Sequence, residues 1–135
     1  MCSSDLYTAA DAETWIARAS GQSPATSFAI VVDDAAVGGV GVELGTDVFR
    51  HSAEIGYWLG EPFWGRGIAT EVLRAMTAYA FEHFDICRLE AGVFSWNPAS
   101  ARVLEKAGFV LEGRLRKNVV KDGKVVDSLL YARTK

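Results

Sequence analysis

Apolar and polar positions alternate in several runs along the chain and recur at helical spacing in others, and that pattern sets an order of elements. Residues 27–32 and 37–44 are β-rich runs on either side of Asp33-Asp34, and Ala53, Ile55, Tyr57 and Leu59 alternate with Glu54, Gly56 and Trp58. A period of two marks half-buried strands, so these runs predict an antiparallel meander. From Ile68 to about Phe84 the apolar residues Ile68, Val72, Met76, Ala80 and Phe84 form one row, flanked by Ala69 and Leu73, which predicts a long helix with one face committed to a core. Leu89, Ala91 and Val93 then mark a strand over residues 88–94. It must run parallel to the strand before the helix, because a helix intervenes. Asn97 before Pro98 reads as an N-cap with proline at the first helical position, and Gly108 stands where a left-handed cap ends a helix over residues 99–107. Two more strand-like runs, 109–120 and 125–132, flank the hairpin signal Asp122-Gly123. Upstream, Thr8 with Asp11, then Trp15 and Ile16, then Gly21, read as a short amphipathic helix. The predicted class is α+β with a mixed sheet.

The chain has 135 residues, half of them apolar and 23% charged, the profile of one ordinary globular domain; no repeat or linker divides residues 1–135. At this size the fold needs neither disulfides nor a structural metal. Lys and Arg number 14 against 17 Asp and Glu, for a net charge of −3. With no basic run, bulk binding of nucleic acid or of an anionic membrane is disfavoured. Cys2, Cys87, His51 and His83 stand at no metal-ligand spacing, so no metal is expected and a reducing cytoplasm fits. The longest charge-free apolar stretch, 35–42, has eight residues, far below the roughly 20 that span a bilayer. The first residues lack the basic start and apolar middle of a signal peptide, and Pro98 prevents glycosylation at Asn97.

The stretch Glu61-Pro62-Phe63-Trp64-Gly65-Arg66-Gly67-Ile68-Ala69-Thr70 joins a strand to the long helix. A glycine-rich turn of this kind exposes unpaired backbone N–H groups at the positive end of a helix, where a pyrophosphate can approach the main chain closely. Arg66 and Arg74 would add charge, and the Thr70 hydroxyl a further hydrogen bond. A P-loop would require Lys and then Ser or Thr where Arg66 and Gly67 stand, and a dinucleotide fingerprint would require Gly or Ala at Thr70. Both fail. A turn whose glycines serve only chain reversal is the alternative on spacing alone.

Three ordered blocks resemble the GNAT superfamily of acetyltransferases, in particular its RimJ/RimL-like branch, which acetylates protein N-terminal amines. They are the strand residues Ala53, Glu54, Ile55, Gly56, Tyr57, Trp58 and Leu59 with the loop Trp64, Gly65, Arg66, Gly67, Ile68, Ala69, Thr70 and Glu71; the segment from Asn97, Pro98, Ala99 and Ser100 to Gly108-Phe109; and the tail from Glu112-Gly113 through Asp122-Gly123 to Tyr131-Ala132. The resemblance implies a mixed, mostly antiparallel sheet with helices on both faces and a central β-α-β cleft for acetyl-CoA, the co-substrate. The usual first strand and helix are not matched. It implies direct attack of an amine on the thioester, with the amides of Gly65, Arg66, Gly67, Ile68, Ala69 and Thr70 on the pyrophosphate and strand residues Trp58, Leu59 and Gly60 on the pantetheine arm. Asn97 and Ser100 match positions near the pantetheine and thiol, and Ser100 would donate a proton to the departing thiolate. Glu54 is the candidate general base, which acts directly or through one water. Asn97 is also fully explained as an N-cap, and Glu54 as a solvated strand carboxylate. Tyr57 and Tyr131 are alternative acids or packing residues, His51 a relay or a surface residue, and Asp127 either fixes the terminal hairpin or contacts the acceptor.

The sequence departs from the family in places. Leu104 stands where many members carry a tyrosine acid, Trp64 replaces a frequent Gln or Arg, and Val119 falls where RimL-type enzymes place an acidic residue. An unmatched first strand would leave an edge to be covered by self-association into a homodimer or by a start upstream of Met1. With little acid-base help in the chain, the acceptor expected is a protein or peptide N-terminus. An α-amine with pKa near 8 is roughly one quarter neutral at pH 7.5, whereas a lysine near 10.4 is about 0.1% neutral. A small-molecule amine, or a catalytically inactive CoA-binding module, are the competing classes.

Overall fold

The computed structural model describes residues 25–135; the helix expected over residues 8–21 lies outside them. Among the described residues six strands form one sheet in the order β1-β2-β3-β4-β6-β5: β1 (Ser27–Val32), β2 (Ala35–Leu44), β3 (Ser52–Leu59), β4 (Arg88–Phe94), β5 (Val110–Lys121) and β6 (Lys124–Thr134). Helix α1 (Ile68–His83) crosses from β3 to β4, and α2 (Pro98–Lys106) follows β4. Among the described residues only the β3–β4 pair is parallel, as a helical crossover requires; the other pairs are antiparallel. Both tight hairpins use two left-handed residues, Asp33 and Asp34 (φ 51° and 65°) and Asp122 and Gly123 (φ 53° and 77°). That conformation matches the twist of the flanking strands, and aspartate and glycine tolerate it best.

One face of the sheet carries the core. Phe28, Ile30, Val40, Val42, Ala53, Ile55, Leu59, Leu89, Ala91 and Tyr131 are buried together with Ile68, Val72, Leu73, Met76 and Ala80 of α1 and Leu104 of α2. Strand registers place the sheet residues on the same side: Ile55 opposes Val42, Ala53 opposes Leu89, and Ala91 opposes Tyr131. Tyr79 of α1 meets Phe28 edge to face at 5.0 Å, and Tyr131 and Arg133 of β6 reach α2. Both described helices therefore lie on this inner face. On the outer face Glu54, Gly56, Trp58 and Gly92 are exposed, and the expectation of a helix on that face too rests on the segment outside the described residues. No described helix is long and apolar enough to cross a membrane.

The β5–β6 hairpin is interrupted between Leu115 and Val119, where three residues of β5 oppose Asp127 alone. Lys117 in this bulge has φ 52°, and Asp127 holds it: one carboxylate oxygen accepts from the Lys117 N–H at 2.8 Å and the other from Arg114 Nε at 2.7 Å. Of the two roles open to Asp127, the structure assigns the hairpin one. The Lys117 amide and the Arg114 guanidinium hold its carboxyl below the ordinary aspartate range. A group with a lowered folded-state pKa stabilises above its unfolded value and loses that contribution as pH falls through the folded one. The Tm difference between wild type and Asp127→Asn is therefore expected to be full at pH 7 and to shrink below about pH 3.8, the ordinary aspartate value, in melts taken at stepped pH. A second expectation concerns Thr77, whose buried hydroxyl in α1 has no hydrogen-bond partner among the described residues. Thr77→Val keeps the shape and removes the orphaned group, so Tm should rise by about 3–5 °C, for about 1 kcal/mol; a fall would show that the hydroxyl is satisfied.

Candidate active site

Strands β3 and β4 pair only at Ser52, Ala53 and Glu54 with Arg88, Leu89 and Glu90. Beyond that point β3 stays with β2 as far as Leu59, and β4 stays with β6 as far as Phe94, so the two parallel strands separate and leave a cleft. The Gly60 N–H donates to the Val37 carbonyl at 2.9 Å, on the β2 side. Backbone groups alternate in direction along a strand, so those of Tyr57 and Leu59 point the other way, into the cleft. The Leu59 carbonyl accepts the indole N–H of Trp64 at 2.6 Å. Trp64 therefore makes a side-chain contact of its own, to a cleft-facing carbonyl.

The cleft runs into the glycine-rich turn. A 3-10 turn (Glu61–Phe63) is followed by Gly65 and Gly67 at φ 72° and 78°, Gly67 being the N-cap of α1 with no side-chain cap. These left-handed positions are where glycine carries no Cβ penalty. Among the described residues no protein group accepts from the amides of Gly65, Arg66, Gly67, Ile68, Ala69 or Thr70. Six donors with no protein acceptor thus lie along the turn and the positive end of α1. The Arg66 guanidinium packs over the Phe63 ring, 5.4 Å from its centroid, beside these donors. Arg74 does not join them, contrary to expectation. Its guanidinium donates to the Lys106 carbonyl at 2.8 Å, at the C-terminal end of α2, where the free carbonyls of the helix attract a cation.

Asn97 caps α2 as its sequence context predicts, its Oδ1 accepting the Ser100 N–H at 3.3 Å. This fixes Ser100 in the first turn. Burial pushes the Tyr57 phenol up. Tyr131 is committed elsewhere: its hydroxyl donates to Glu105 Oε2 at 2.8 Å, and burial together with that carboxylate raises its phenol. Leu104, at the position where the resemblance would have a tyrosine, is fully buried core.

Glu54 lies on the outer face, on the last paired residue of β3, opposite Glu90 and beside Glu43. Arg88 takes Glu90 at 2.9 Å and Glu112 at 2.8 Å, and its hydrogen bond, with its charge behind it, holds the Glu112 carboxyl low. Glu54 makes no hydrogen bond or ion pair among the described residues and is exposed. His51 is not its relay. Its Nδ1 lies 2.9 Å from the Asp85 carbonyl at the closed end of the strands. Among the described residues no cluster of His, Cys, Asp or Glu is arranged to hold a metal. What the sequence does not announce is the anchoring of α2 by Arg74, Tyr131 and Arg133, the last donating to the Ala107 carbonyl at 2.8 Å. These contacts span 26 to 32 residues, beyond any local signal.

Gly67→Ala tests the turn in isolation. The left-handed φ penalises a side chain, so a loss of about 1 kcal/mol in denaturant melts is expected; no loss would mean that the turn relaxes readily.

Comparison with known proteins agrees with this geometry. The Acetyltransferase (GNAT) domain family matches residues 2–110. An uncharacterized N-acetyltransferase, p20 of Bacillus licheniformis, is 32% identical over 133 residues, covering 97% of this chain and 74% of that protein. The ribosomal-protein-serine acetyltransferase of Escherichia coli K12 is 31% identical over 109 residues, covering 81% and 60%. Mycobacterium smegmatis RimJ in complex with CoA-disulfide superposes with a TM-score of 0.74 at 33% identity, covering 81% of this chain and 53% of that one. Across the first curated relatives it matches, the chain spans 40% to 74% of their length. A sheet parted between two parallel strands, an uncapped glycine turn at its mouth, and sequence similarity along nearly the whole chain agree: the chain belongs to the GNAT acetyltransferase family.

Proposed function

We propose that this protein transfers the acetyl group of acetyl-CoA to a primary amine, and that the acceptor is the α-amine of a protein or peptide N-terminus. The observation that carries the reading is the separation of β3 from β4 beyond Glu54 and Glu90, next to the turn whose amides have no protein acceptor. Those amides, from Gly65 to Thr70, suit a diphosphate, and the cleft-facing backbone of Tyr57 and Leu59 suits a chain of amide groups such as the pantetheine arm, whereas the backbone of Trp58 is turned to Gly39 of β2. Bound acetyl-CoA supplies the thioester; the protein supplies orientation and proton transfer. Glu54 on the outer face takes the proton shed by the amine, directly or through a water. Ser100, on the inner face and held by Asn97, gives a proton to the departing sulfur. Acid and base thus approach the cleft from opposite faces of the sheet, the separation that a reaction needs when one atom gains a proton as another loses one. The α-amine preference rests on its being already partly neutral near pH 7.5, so that a single exposed carboxylate suffices, and on the similarity to a ribosomal-protein acetyltransferase.

Calorimetric titration with CoA, then a thiol-release assay on peptides with free or blocked N-termini, tests the reading. Binding is expected, with about 2.7 kcal/mol of added stability at 100 times the dissociation constant, and only free N-termini should be labelled. Equal labelling of both peptides would remove the α-amine preference, and binding without thiol release across many amines would favour a CoA-binding module. Glu54→Gln should lower kcat by about a hundredfold or more with CoA affinity unchanged; an unaltered kcat would exclude Glu54 as the base.

A further inference from the structure

Two glycines of the sheet lack the reasons that explain the others. Among the described residues, four glycines stand at positive φ, five more have a neighbour within 3.4 Å of where a Cβ would sit, and Gly113 lies at a register shift of β5. Gly56 of β3 and Gly92 of β4 have none of these. Among the described residues a Cβ at Gly56 would meet nothing within 4 Å, and one at Gly92 only the Leu129 carbonyl at 3.9 Å, an ordinary contact. Neither strand shifts register there. Glycine inside a strand costs backbone entropy and gives up a side chain, so where the fold does not require it, it marks a place that another molecule approaches closely.

Their positions fit that reading. Each stands two residues beyond the last β3–β4 pair, Glu54 with Glu90. By the period of two, both therefore share the outer face with Glu54 and lie level with each other on the two lips of the cleft. One step further on the same face are Trp58 and Phe94. The Trp58 indole lies across Gly39 of β2, its Nε1 2.9 Å from where a Gly39 Cβ would sit, and so leans away from the cleft. Phe94 stacks on Trp96 at 5.6 Å, and the Lys121 ammonium lies 5.8 Å from its ring centre. Between the carboxylates and the aromatic rings, the lips of the cleft are bare main chain.

Resting on the acetyl-transfer reading above, we propose that Gly56 and Gly92 select the acceptor by size: they form the outer portal through which the first residue of a peptide chain brings its amine to the cleft. An ammonium group arriving from the outer face meets Glu54 and its neighbour Glu43, whose charge suits it, and the chain behind it runs toward the rings. A Cβ on either lip would enter the space that the acceptor's first side chain needs.

The test takes Gly56→Ala, Gly56→Val, Gly92→Ala and Gly92→Val through thiol release with peptides that begin with glycine, serine or leucine, together with CoA calorimetry and melting. Tm should not fall in the alanine variants, because nothing crowds the new Cβ. In the valine variants kcat/KM should drop about tenfold, more for a leucine start than for a glycine start, with the Kd for CoA within about twofold of wild type. A loss equal for all three peptides, a loss matched by weaker CoA binding, or unchanged kcat/KM in all four variants overturns the proposal. A lower Tm in both alanine variants assigns the glycines to packing and overturns it as well. A wild type that labels no peptide N-terminus refutes the acceptor reading and the portal with it, whereas a wild type active beside equally active variants refutes the portal alone.

Discussion

The structure depends on the point at which two parallel strands stop pairing. Past Glu54 and Glu90, β3 and β4 follow different neighbours, and the backbone groups they would have given each other face a gap. Buried main-chain donors and acceptors left without partners cost several kcal/mol in a dry interior. A cleft lined by them is therefore stable only where water or a ligand of alternating amides supplies the missing bonds. The Trp64 indole on the Leu59 carbonyl is the protein's own partial answer. The parting of the strands makes the binding surface and also decides what kind of molecule suits it.

A cleft of this kind needs fixed walls. The wall formed by α2 is a nine-residue helix, too short to hold itself in place in water. It is fastened at its N-terminus by Asn97 and at its C-terminal turn by Arg74 from α1 and Arg133 from β6, with Tyr131 on Glu105 between them. Cations on the last carbonyls suit the helix dipole, so the same contacts that dock α2 also stabilise it. Ser100 is held in place by this arrangement.

The two faces of the sheet do different work. The inner face is apolar and covered by α1 and α2. The outer face carries a row of carboxylates, Glu43, Glu54 and Glu90, on adjacent strands. Arg88 neutralises only the Glu90 end, which leaves Glu54 in the solvated, negatively charged setting that attracts a cationic amine.

Periodicity and turn chemistry were enough to place all six described strands and both described helices, because each feature that marks them is local. An Asp-Gly pair needs left-handed φ, an Asn-Pro pair starts a helix, and apolar residues at period two or 3.6 must face a core. The glycine turn and its run of donors were legible for the same reason, and so was the Asn97 cap, whereas Ser100 is unremarkable in its local sequence and is singled out only by the family resemblance. The sequence could not decide between roles that depend on distance. Arg74 reads as a phosphate ligand until Lys106 is seen beside it. Asp127 reads equally as a structural or an acceptor residue until Arg114 and Lys117 are found around it. Local sequence sets the geometry of each element, but a side chain's hydrogen-bond partner is chosen by whatever the fold brings within about 3 Å, and only the tertiary structure makes that choice.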